Sequence, residues 1–278
     1  MPEGPEIQWC ATFYKKYLQN SIITNIIDCN NNQTTQLNET VFNVECKGKL
    51  LWIQLNNIFI HIHFGLSGWI QTNNSYGTKY RICINNKSDL LLTDTGANSL
   101  LKLNIYSKNE HIEKLNKIGI SIFSNEFTLS FFTNSFNKRK CMLAPFLLEQ
   151  HTFSGIGNYI KNEVIYMGNL KVKIKLNELN NNNINMMYNN ILYVAYSKYI
   201  TQIIESESTI NNDEFKLLPK YTTTPYTYNI YKRKITNDGN NVCKIKVSGR
   251  DSYTINELLG HKYGIKLNNN NINKNIIE

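Results

Sequence analysis

The chain changes from strand-like to helix-like sequence at about residue 110, and this division limits the folds that it can adopt. Between residues 21 and 103, short apolar runs alternate with Asn- and Gly-containing turns, as is typical of a β-sandwich or barrel. Before them, the apolar spacing along Pro5–Asn20 predicts an amphipathic helix that packs on the sheet. The predicted strands are Ser21–Ile27, Val41–Glu45, Leu50–Leu55, Ile58–His63, Tyr80–Ile84 and Leu90–Thr93.

The second half of the chain has the apolar spacing of helices, followed by a C-terminal hairpin. Asn237–Asn240 is a turn sequence between two apolar runs, Tyr228–Ile235 and Val242–Val247, and it predicts a β-hairpin. The polar stretch Glu205–Tyr228 is predicted to be a mobile loop, and the Asn-rich tail to be disordered. We therefore expect an α+β, multidomain protein. The predicted helices are Glu110–Ile118, Ser124–Phe132, a segment at Pro145–Leu148, and Ile191–Ile204 after the Asn-rich run Asn177–Asn190.

Composition narrows the class of protein and its partners. The net charge of +9 and pI near 9.1 favour a polyanionic partner, although basicity alone is weak evidence for nucleic acid. The six cysteines are scattered without a C-x-x-C pair, which argues against a zinc site and a disulfide framework. The sequence has no signal peptide pattern and no apolar run long enough to span a bilayer, so we expect an intracellular protein without membrane contact.

The N-terminal residues Met1-Pro2-Glu3-Gly4-Pro5-Glu6 have two interpretations. Removal of Met1 would leave Pro2 with a free secondary amine beside the carboxylate of Glu3, a nucleophile next to a proton donor or acceptor. An α-amino group titrates near pH ~8, so part of it is unprotonated at neutral pH. Alternatively, the segment is only a polar turn with Pro5 at the first helical position.

Four further segments carry residues suited to nucleic-acid chemistry, and each has a structural alternative. Lys47-Gly48-Lys49 precedes a strand and could direct an ammonium into a cleft or only to the surface. Leu66 lies in a glycine-flanked loop and could fill the gap left by an extruded nucleotide, or anchor the loop. Glycines before Asn158 could present backbone N–H groups to a phosphate. Arg250 could make a forked phosphate contact or be solvated.

Taken in order, these segments resemble the formamidopyrimidine-DNA glycosylase/endonuclease VIII family. The resemblance covers roughly residues 2–255, and the Gly-Asn-Tyr sequence is similar to the endonuclease VIII-like branch. The matching segments are Pro2-Glu3-Gly4-Pro5-Glu6, Lys47-Gly48-Lys49, His63-Phe64-Gly65-Leu66-Ser67-Gly68, Leu147-Leu148-Glu149-Gln150, Gly155-Ile156-Gly157-Asn158-Tyr159 with Glu163, Tyr231, and Arg250-Asp251-Ser252-Tyr253.

The resemblance implies a β-sandwich with an N-terminal helix (residues 1–118), a helix-two-turn-helix domain (124–225), a β-hairpin finger (226–260) and a disordered tail (261–278). It implies a monomer that needs no cofactor and binds damaged DNA, single- or double-stranded, in the cleft between the domains. The implied roles are Pro2 as Schiff-base nucleophile, Glu3 as acid/base, Lys49 as second proton donor, Glu6 as support, Leu66 as wedge, and His63, Asn158, Tyr231 and Arg250 as phosphate contacts.

Two departures from the family pattern modify these expectations. Family members usually build the finger on four zinc-binding cysteines, whereas Cys243 stands alone here, so we predict a finger without zinc. Many members have Arg and Phe where this chain has Gly96 and Asn98. Because small side chains cannot pair or stack in the duplex, we expect extrusion from intact duplex to be less well supported than from single strands.

The sequence therefore predicts a bifunctional DNA glycosylase and abasic-site lyase that removes oxidised bases, mainly pyrimidines, with strand nicking by β/δ-elimination. One alternative is a catalytically silent DNA-binding module on the same scaffold, which would not require Pro2, Glu3 and Lys49 together. Another is an RNA-binding or ribosomal protein with a helix-two-turn-helix domain, which leaves the N-terminus unexplained.

Overall fold

A computed structural model describes residues 2–73, 76–97, 99–137, 139–206 and 225–259 of the 278-residue chain. The helices are α1 (Gly4–Leu18), α2 (Lys108–Asn116), α3 (Leu129–Ser135), α4 (Leu143–Phe146), α5 (Asn158–Met167) and α6 (Asn181–Glu205). The strands are β1 (Ile22–Asp28), β2 (Gln33–Thr40), β3 (Asn43–Lys47), β4 (Leu50–Gln54), β5 (Ile58–His63), β6 (Trp69–Gln71), β7 (Thr78–Ile84), β8 (Leu90–Thr93), β9 (Lys102–Ser107), β10 (Ile120–Ser121), β11 (Phe153–Ser154), β12 (Val242–Val247) and β13 (Arg250–Ile255).

The N-terminal half is a sandwich of two antiparallel sheets, with strand orders β2-β1-β7-β8-β6 and β3-β4-β5-β9. Buried side chains from both sheets form one core with the apolar face of α1, to which Cys10, Tyr14 and Leu18 contribute. The predicted α+β class and the N-terminal helix are confirmed. The apolar face therefore fixes α1 on the sandwich and sets the position of the N-terminus.

Three strands of the sandwich, β2, β6 and β9, are absent from the sequence prediction. Strands β2 and β9 lie at sheet edges, and most side chains of β2 are exposed. An edge strand with two solvated faces lacks the alternation of apolar and polar residues that identifies a half-buried strand. Strand β6 has only three residues, Trp69–Gln71, too few to show any period.

The second half has its own core, built around the phenylalanines of α3 and α4 and the apolar face of α5. Helix α6 starts ten residues earlier than predicted, because the Asn180 side chain accepts the N–H of Asn183 at 2.9 Å and caps the helix. Near its other end, α6 places Tyr199 and Ile203 in the core of the sandwich. The domain boundaries given above stay predictions, and this helix belongs to both cores.

The C-terminal hairpin is formed by β12 and β13, so the predicted pairing of Tyr228–Ile235 with Val242–Val247 is wrong. The N–H groups of Asn229, Ile230 and Tyr231 donate instead to the carboxylate of Glu163, at 2.8–3.0 Å. Those donors are therefore not free to pair with a strand. The two segments meet only next to the turn, at the bridge between Ile235 and Asn241. There the Val242 N–H donates to the Lys234 carbonyl and the Thr236 N–H to the Asn240 carbonyl, both at 2.9 Å.

Two predictions fall on segments that the structure leaves undescribed. The loop predicted at 205–228 lies mostly outside the described residues, as does the whole tail 261–278. Among the helices that are described, none is long and apolar enough to cross a membrane.

Candidate active site

The carboxylate of Glu3 lies between the first turns of two helices and is fully buried. Its two oxygens accept the backbone N–H groups of Tyr159 at 2.8 Å and Ile160 at 3.2 Å, in the first turn of α5. The N–H of Glu3 donates to Glu6 Oε2 at 2.8 Å, and the Gly4 N–H donates to the Gly155 carbonyl at 2.8 Å. The N-terminus of the chain is thereby fastened to the second domain.

Gly157 makes this contact possible. A Cβ atom at this position would collide with the carboxylate of Glu3. From the sequence, this glycine-rich turn could present open N–H groups to a phosphate. The structure differs, because the N–H groups of Tyr159 and Ile160 already bind the carboxylate of Glu3.

The pKa of Glu3 is raised from 4.5 to about 7. Burial disfavours the charged form, and this effect exceeds the opposing effects of the Lys49 ammonium and of the two N–H donors. Burial also raises the pKa of Glu6, whose carboxylate accepts the Tyr159 hydroxyl at 3.1 Å. A carboxyl group that titrates near neutrality can both donate and accept a proton at physiological pH.

Lys49 lies in the turn between β3 and β4 and completes the charged group around Glu3. Burial lowers the pKa of its ammonium, and the carboxylate of Glu3 partly offsets this effect. The guanidinium of Arg250 lowers the same pKa further. A lysine whose pKa is lowered transfers a proton more readily near neutral pH.

Helix α5 also positions Asn158 and Tyr231. The buried Glu163 carboxylate accepts three backbone N–H groups from 229–231, the Asn229 side chain at 2.9 Å and the Tyr226 hydroxyl at 2.7 Å. Tyr231 is held half-buried in this way. Its pKa is raised to about 12, mainly by burial, while the side chain of Asn158 has a lowering effect. Glu163 was quoted in the sequence motif without a role, because its partners lie more than 60 residues away.

Arg250 begins β13 at the tip of the hairpin and is exposed. Val247 pairs with Arg250, so the turn consists of Ser248 and Gly249 alone, with φ angles of 48° and 75°. Two positive φ angles define the tight turn that suits the twist of a hairpin. Arg250 therefore opens the second strand of the hairpin, whereas the sequence predicts that it follows the second strand.

His63 and Leu66 lie at the same end of the sandwich as Lys49. Strands β4 and β5 are antiparallel with Leu51 opposite Ile62, so the start of β4 and the end of β5 are neighbours. The His63 ring is at the surface, and partial burial together with Lys102 and Lys114 lowers its pKa. Leu66 is 45% exposed at the apex of the following loop.

The structure thus brings Glu3, Glu6, Lys49, Asn158, Tyr231 and Arg250 around one junction between the sandwich and the helical domain, with His63 and Leu66 at the adjoining edge. Pro2 is partly exposed and directly precedes Glu3. Sequence reasoning missed Lys161, which is 1% exposed and binds Asn158 at 2.8 Å. The only sequence signal for Lys161 was its position between Asn158 and Glu163, two residues of the matching segments.

Two protein-family models match the chain. The formamidopyrimidine-DNA glycosylase N-terminal domain matches residues 1–97, and the formamidopyrimidine-DNA glycosylase H2TH domain matches residues 118–209, together more than half of the chain. The chain belongs to the formamidopyrimidine-DNA glycosylase family. The two matches fall on the sandwich and on the helical domain that meet at Glu3.

The chain is similar to relatives and to solved structures that carry this family name. The chain is 26% identical to formamidopyrimidine-DNA glycosylase of Rickettsia conorii, with 91% of this chain and 97% of the relative covered. It is 25% identical to that of Arabidopsis thaliana, where the match covers 61% of this chain but only 51% of the relative. The Lactococcus lactis enzyme bound to DNA with an abasic site has a TM-score of 0.72 at 16% identity, covering 91% and 97% of the two chains. That likeness shows the fold.

Proposed function

We propose that this chain is a DNA glycosylase with abasic-site lyase activity, and that it acts through an imine formed on Pro2. The observation that carries the proposal is the burial of Glu3 at the junction of the two domains, directly after Pro2, with a pKa of about 7. A binding surface has no need of a buried carboxyl group that titrates near neutrality. Such groups are typical of catalytic sites.

The proposed reaction begins when the unprotonated nitrogen of Pro2 attacks C1′ of the damaged nucleotide. The bond from C1′ to the base breaks, and the base leaves with the electron pair and takes up the proton that the Pro2 nitrogen gives up. Glu3 supplies a proton to the ring oxygen as the sugar opens. The product is an iminium cation between Pro2 and C1′, which acidifies the C2′ proton. Loss of that proton expels the 3′ phosphate, a second elimination expels the 5′ phosphate, and water releases Pro2.

Lys49 and Arg250 suit the negative charges of this substrate. An ammonium with a lowered pKa, held near Glu3, can serve as the second proton donor, and its charge favours a phosphate nearby. Asn158, Tyr231 and His63 add uncharged donors along the same junction. We propose these three and Arg250 as the phosphate contacts, with Glu6 holding the backbone of Glu3.

Oxidised pyrimidines are the proposed main substrates, in keeping with the similarity to the endonuclease VIII-like branch. The Tyr159 hydroxyl in the Gly-Asn-Tyr sequence binds Glu6, which gives that residue a role in the site. A related Lactococcus lactis structure is described as a complex with DNA containing an oxidised pyrimidine, at 17% identity and a TM-score of 0.72. A panel of lesion-bearing oligonucleotides tests this preference.

A preference for single-stranded or bubble DNA is also proposed. A Cβ atom at Gly96 would collide with the hydroxyl of Ser67, so a larger side chain would require this hydroxyl to move. Asp94 holds the loop by accepting the Ser67 hydroxyl at 2.6 Å and the Ser99 hydroxyl at 2.8 Å. Asn98 lies outside the described residues. Leu66 would then fill the gap left by the extruded nucleotide with little help from neighbouring side chains.

The hairpin of β12 and β13 is proposed to work without zinc. Residues 226–260 contain a single cysteine and no histidine, so the four ligands of a structural zinc site are missing from this segment. The thiol of Cys243 donates to the Asn256 side chain at 3.0 Å. Metal analysis of the purified protein tests the point directly.

Borohydride trapping on DNA with an abasic site tests the proposed function. Reduction converts the iminium into a stable cross-link, so a protein with a free Pro2 is expected to form a covalent adduct. The matched control carries the same residues behind an N-terminal tag, which blocks the amine and should abolish the adduct. A protein that binds the DNA but is never trapped would instead be the silent DNA-binding module.

A further inference from the structure

Lys161 is a buried lysine without a role in the proposed chemistry. It is 1% exposed and lies in the middle of α5, facing the hairpin of β12 and β13. Removing an ammonium from water is strongly unfavourable unless protein groups replace its hydration. Its surroundings therefore indicate what it is retained for.

Three acceptors surround the Lys161 ammonium. Its Nζ donates to Asn158 Oδ1 at 2.8 Å, to the Asp251 carbonyl at 3.0 Å and to the Ser252 hydroxyl at 3.0 Å. An ammonium has three donors, so all of them are used. The Asp251 carboxylate itself is directed to Lys244 on the outer strand, at 3.3 Å.

Asn162 strengthens the same connection from the next position of α5. Its side-chain Nδ2 donates to the Asn158 carbonyl at 2.7 Å, and its Oδ1 accepts the N–H of Tyr253 at 2.8 Å. We call Lys161 and Asn162, with the groups of residues 251–253 that they bind, the α5–β13 clamp. The clamp joins the first turn of α5 to the strand that begins at Arg250.

The clamp matters because a two-stranded hairpin is marginally stable alone. Arg250 is exposed and directly precedes Asp251, whose carbonyl is fixed by Lys161. Asn158 is oriented from the other side by the same ammonium, so that its remaining amide hydrogens point away from Lys161. One buried group thus contacts both the Asn158 side chain and the main chain next to Arg250.

We infer that Lys161 is a positioning residue for DNA binding: it joins Asn158 to the main chain beside Arg250, so that these two proposed phosphate contacts act as one unit. The inference rests on the proposed function. Lys161 touches no phosphate itself, because it is buried. Its removal should therefore act on DNA only through Asn158 and Arg250.

The salt dependence of DNA affinity tests the inference. The probe is a duplex with a tetrahydrofuran abasic analogue, and its Kd is measured over a series of salt concentrations. Lys161→Met is expected to weaken binding about tenfold. It should also reduce the slope of log Kd against log salt by about one, as if the Arg250 contact were lost. In an Arg250→Ala protein, Lys161→Met should not change the slope further.

Lys171→Met is the matched control, because it removes the same charge from an exposed position in the same domain. It should leave slope and affinity at wild-type values. A folded Lys161→Met protein with the wild-type slope, or one that loses affinity equally with and without Arg250, would overturn the inference. A general loss of stability lowers the active fraction but leaves the slope alone.

A second variant keeps the test decisive if Lys161→Met does not fold. Ser252→Ala removes one acceptor and keeps the buried charge, so a smaller loss of slope is expected, and an unchanged slope counts against the clamp. Failure of the proposed function is distinguishable, because wild-type protein would then give no borohydride adduct. Failure of the clamp leaves that adduct intact.

Discussion

Replacing Glu3 by Gln is expected to remove a large part of the pH dependence of folding. The pKa of this carboxyl is raised from 4.5 to about 7 by burial. Below pH 4.5 the group is protonated in both states. As the pH rises from 4.5 to 7, the unfolded chain loses the proton first, so ionisation favours unfolding. The folded protein therefore loses stability through this window because of Glu3.

The size of the effect follows from the two pKa values. A difference of one between the folded and unfolded pKa corresponds to about 1.4 kcal/mol. For Glu3 the total is about 3 kcal/mol, most of which is lost between pH 5 and pH 8. Glu3→Gln has no ionisable group at this position. Between pH 5 and pH 8, its free energy of unfolding should therefore fall by about 3 kcal/mol less than that of the wild type.

Urea unfolding followed by tryptophan fluorescence at pH 5 and pH 8 measures the four free energies required. Titrating groups that do not interact with Glu3 cancel in the difference between variant and wild type. Glu113→Gln, at an exposed position on α2, is the matched control and should keep the wild-type pH dependence. If Glu3→Gln also keeps the wild-type pH dependence, burial does not raise the pKa of the Glu3 carboxyl.

Three further predictions concern the geometry of the site and the sandwich. Gly157→Ala would push a methyl group against Glu3, and single-turnover cleavage of abasic DNA should slow about a hundredfold. Leu66→Ala should slow cleavage of a lesion in duplex about tenfold and leave the single-stranded reaction unchanged, since only duplex must be unstacked. His61→Gln should reduce the stability lost as the pH falls from 7 to 5 in thermal unfolding. The His61 imidazole, bonded to His111 at 2.8 Å, has its pKa lowered to about 4 and is uncharged when folded.

Each of these variants has a matched control. Gly168→Ala adds the same methyl group at the end of α5, where the nearest atoms are 3.1 Å away or farther. Leu129→Ala removes an exposed leucine on α3, and His151→Gln an exposed imidazole. Equal effects in variant and control, or a Leu66→Ala protein impaired equally on both DNA forms, would contradict the reasoning.

The sandwich and α1 could be predicted because their apolar residues repeat with the period of strands and helices. Edge strand β2 could not, because its side chains are mostly exposed and follow no period. The C-terminal hairpin was misplaced for a different reason. Asp238-Gly239 is a good local turn, but the N–H groups of the preceding segment bind Glu163, a contact between distant parts of the chain.

Some parts of the candidate site could also be predicted from the sequence, and others could not. Pro2, Glu3, Lys49 and Arg250 could be named from short motifs, since each motif carries the chemistry in its residue types. The partner of Glu3 could not, because the first turn of α5 is 156 residues away and its N–H groups suited a phosphate equally well. Lys161 escaped notice since a lysine in a helix is ordinarily solvated, and only its contacts reveal otherwise.

Helix α6 is 25 residues long, begins in one lobe and buries Tyr199 and Ile203 in the other. At a rise of about 1.5 Å per residue, α6 is about 40 Å long. Swinging the lobes apart would extract both side chains into water. On the proposed function, the spacing of the two lobes would thus be set before DNA binds, and any bending would have to come from the double helix. Flexible pyrimidine–purine steps and gaps would accordingly be accommodated at the least elastic cost.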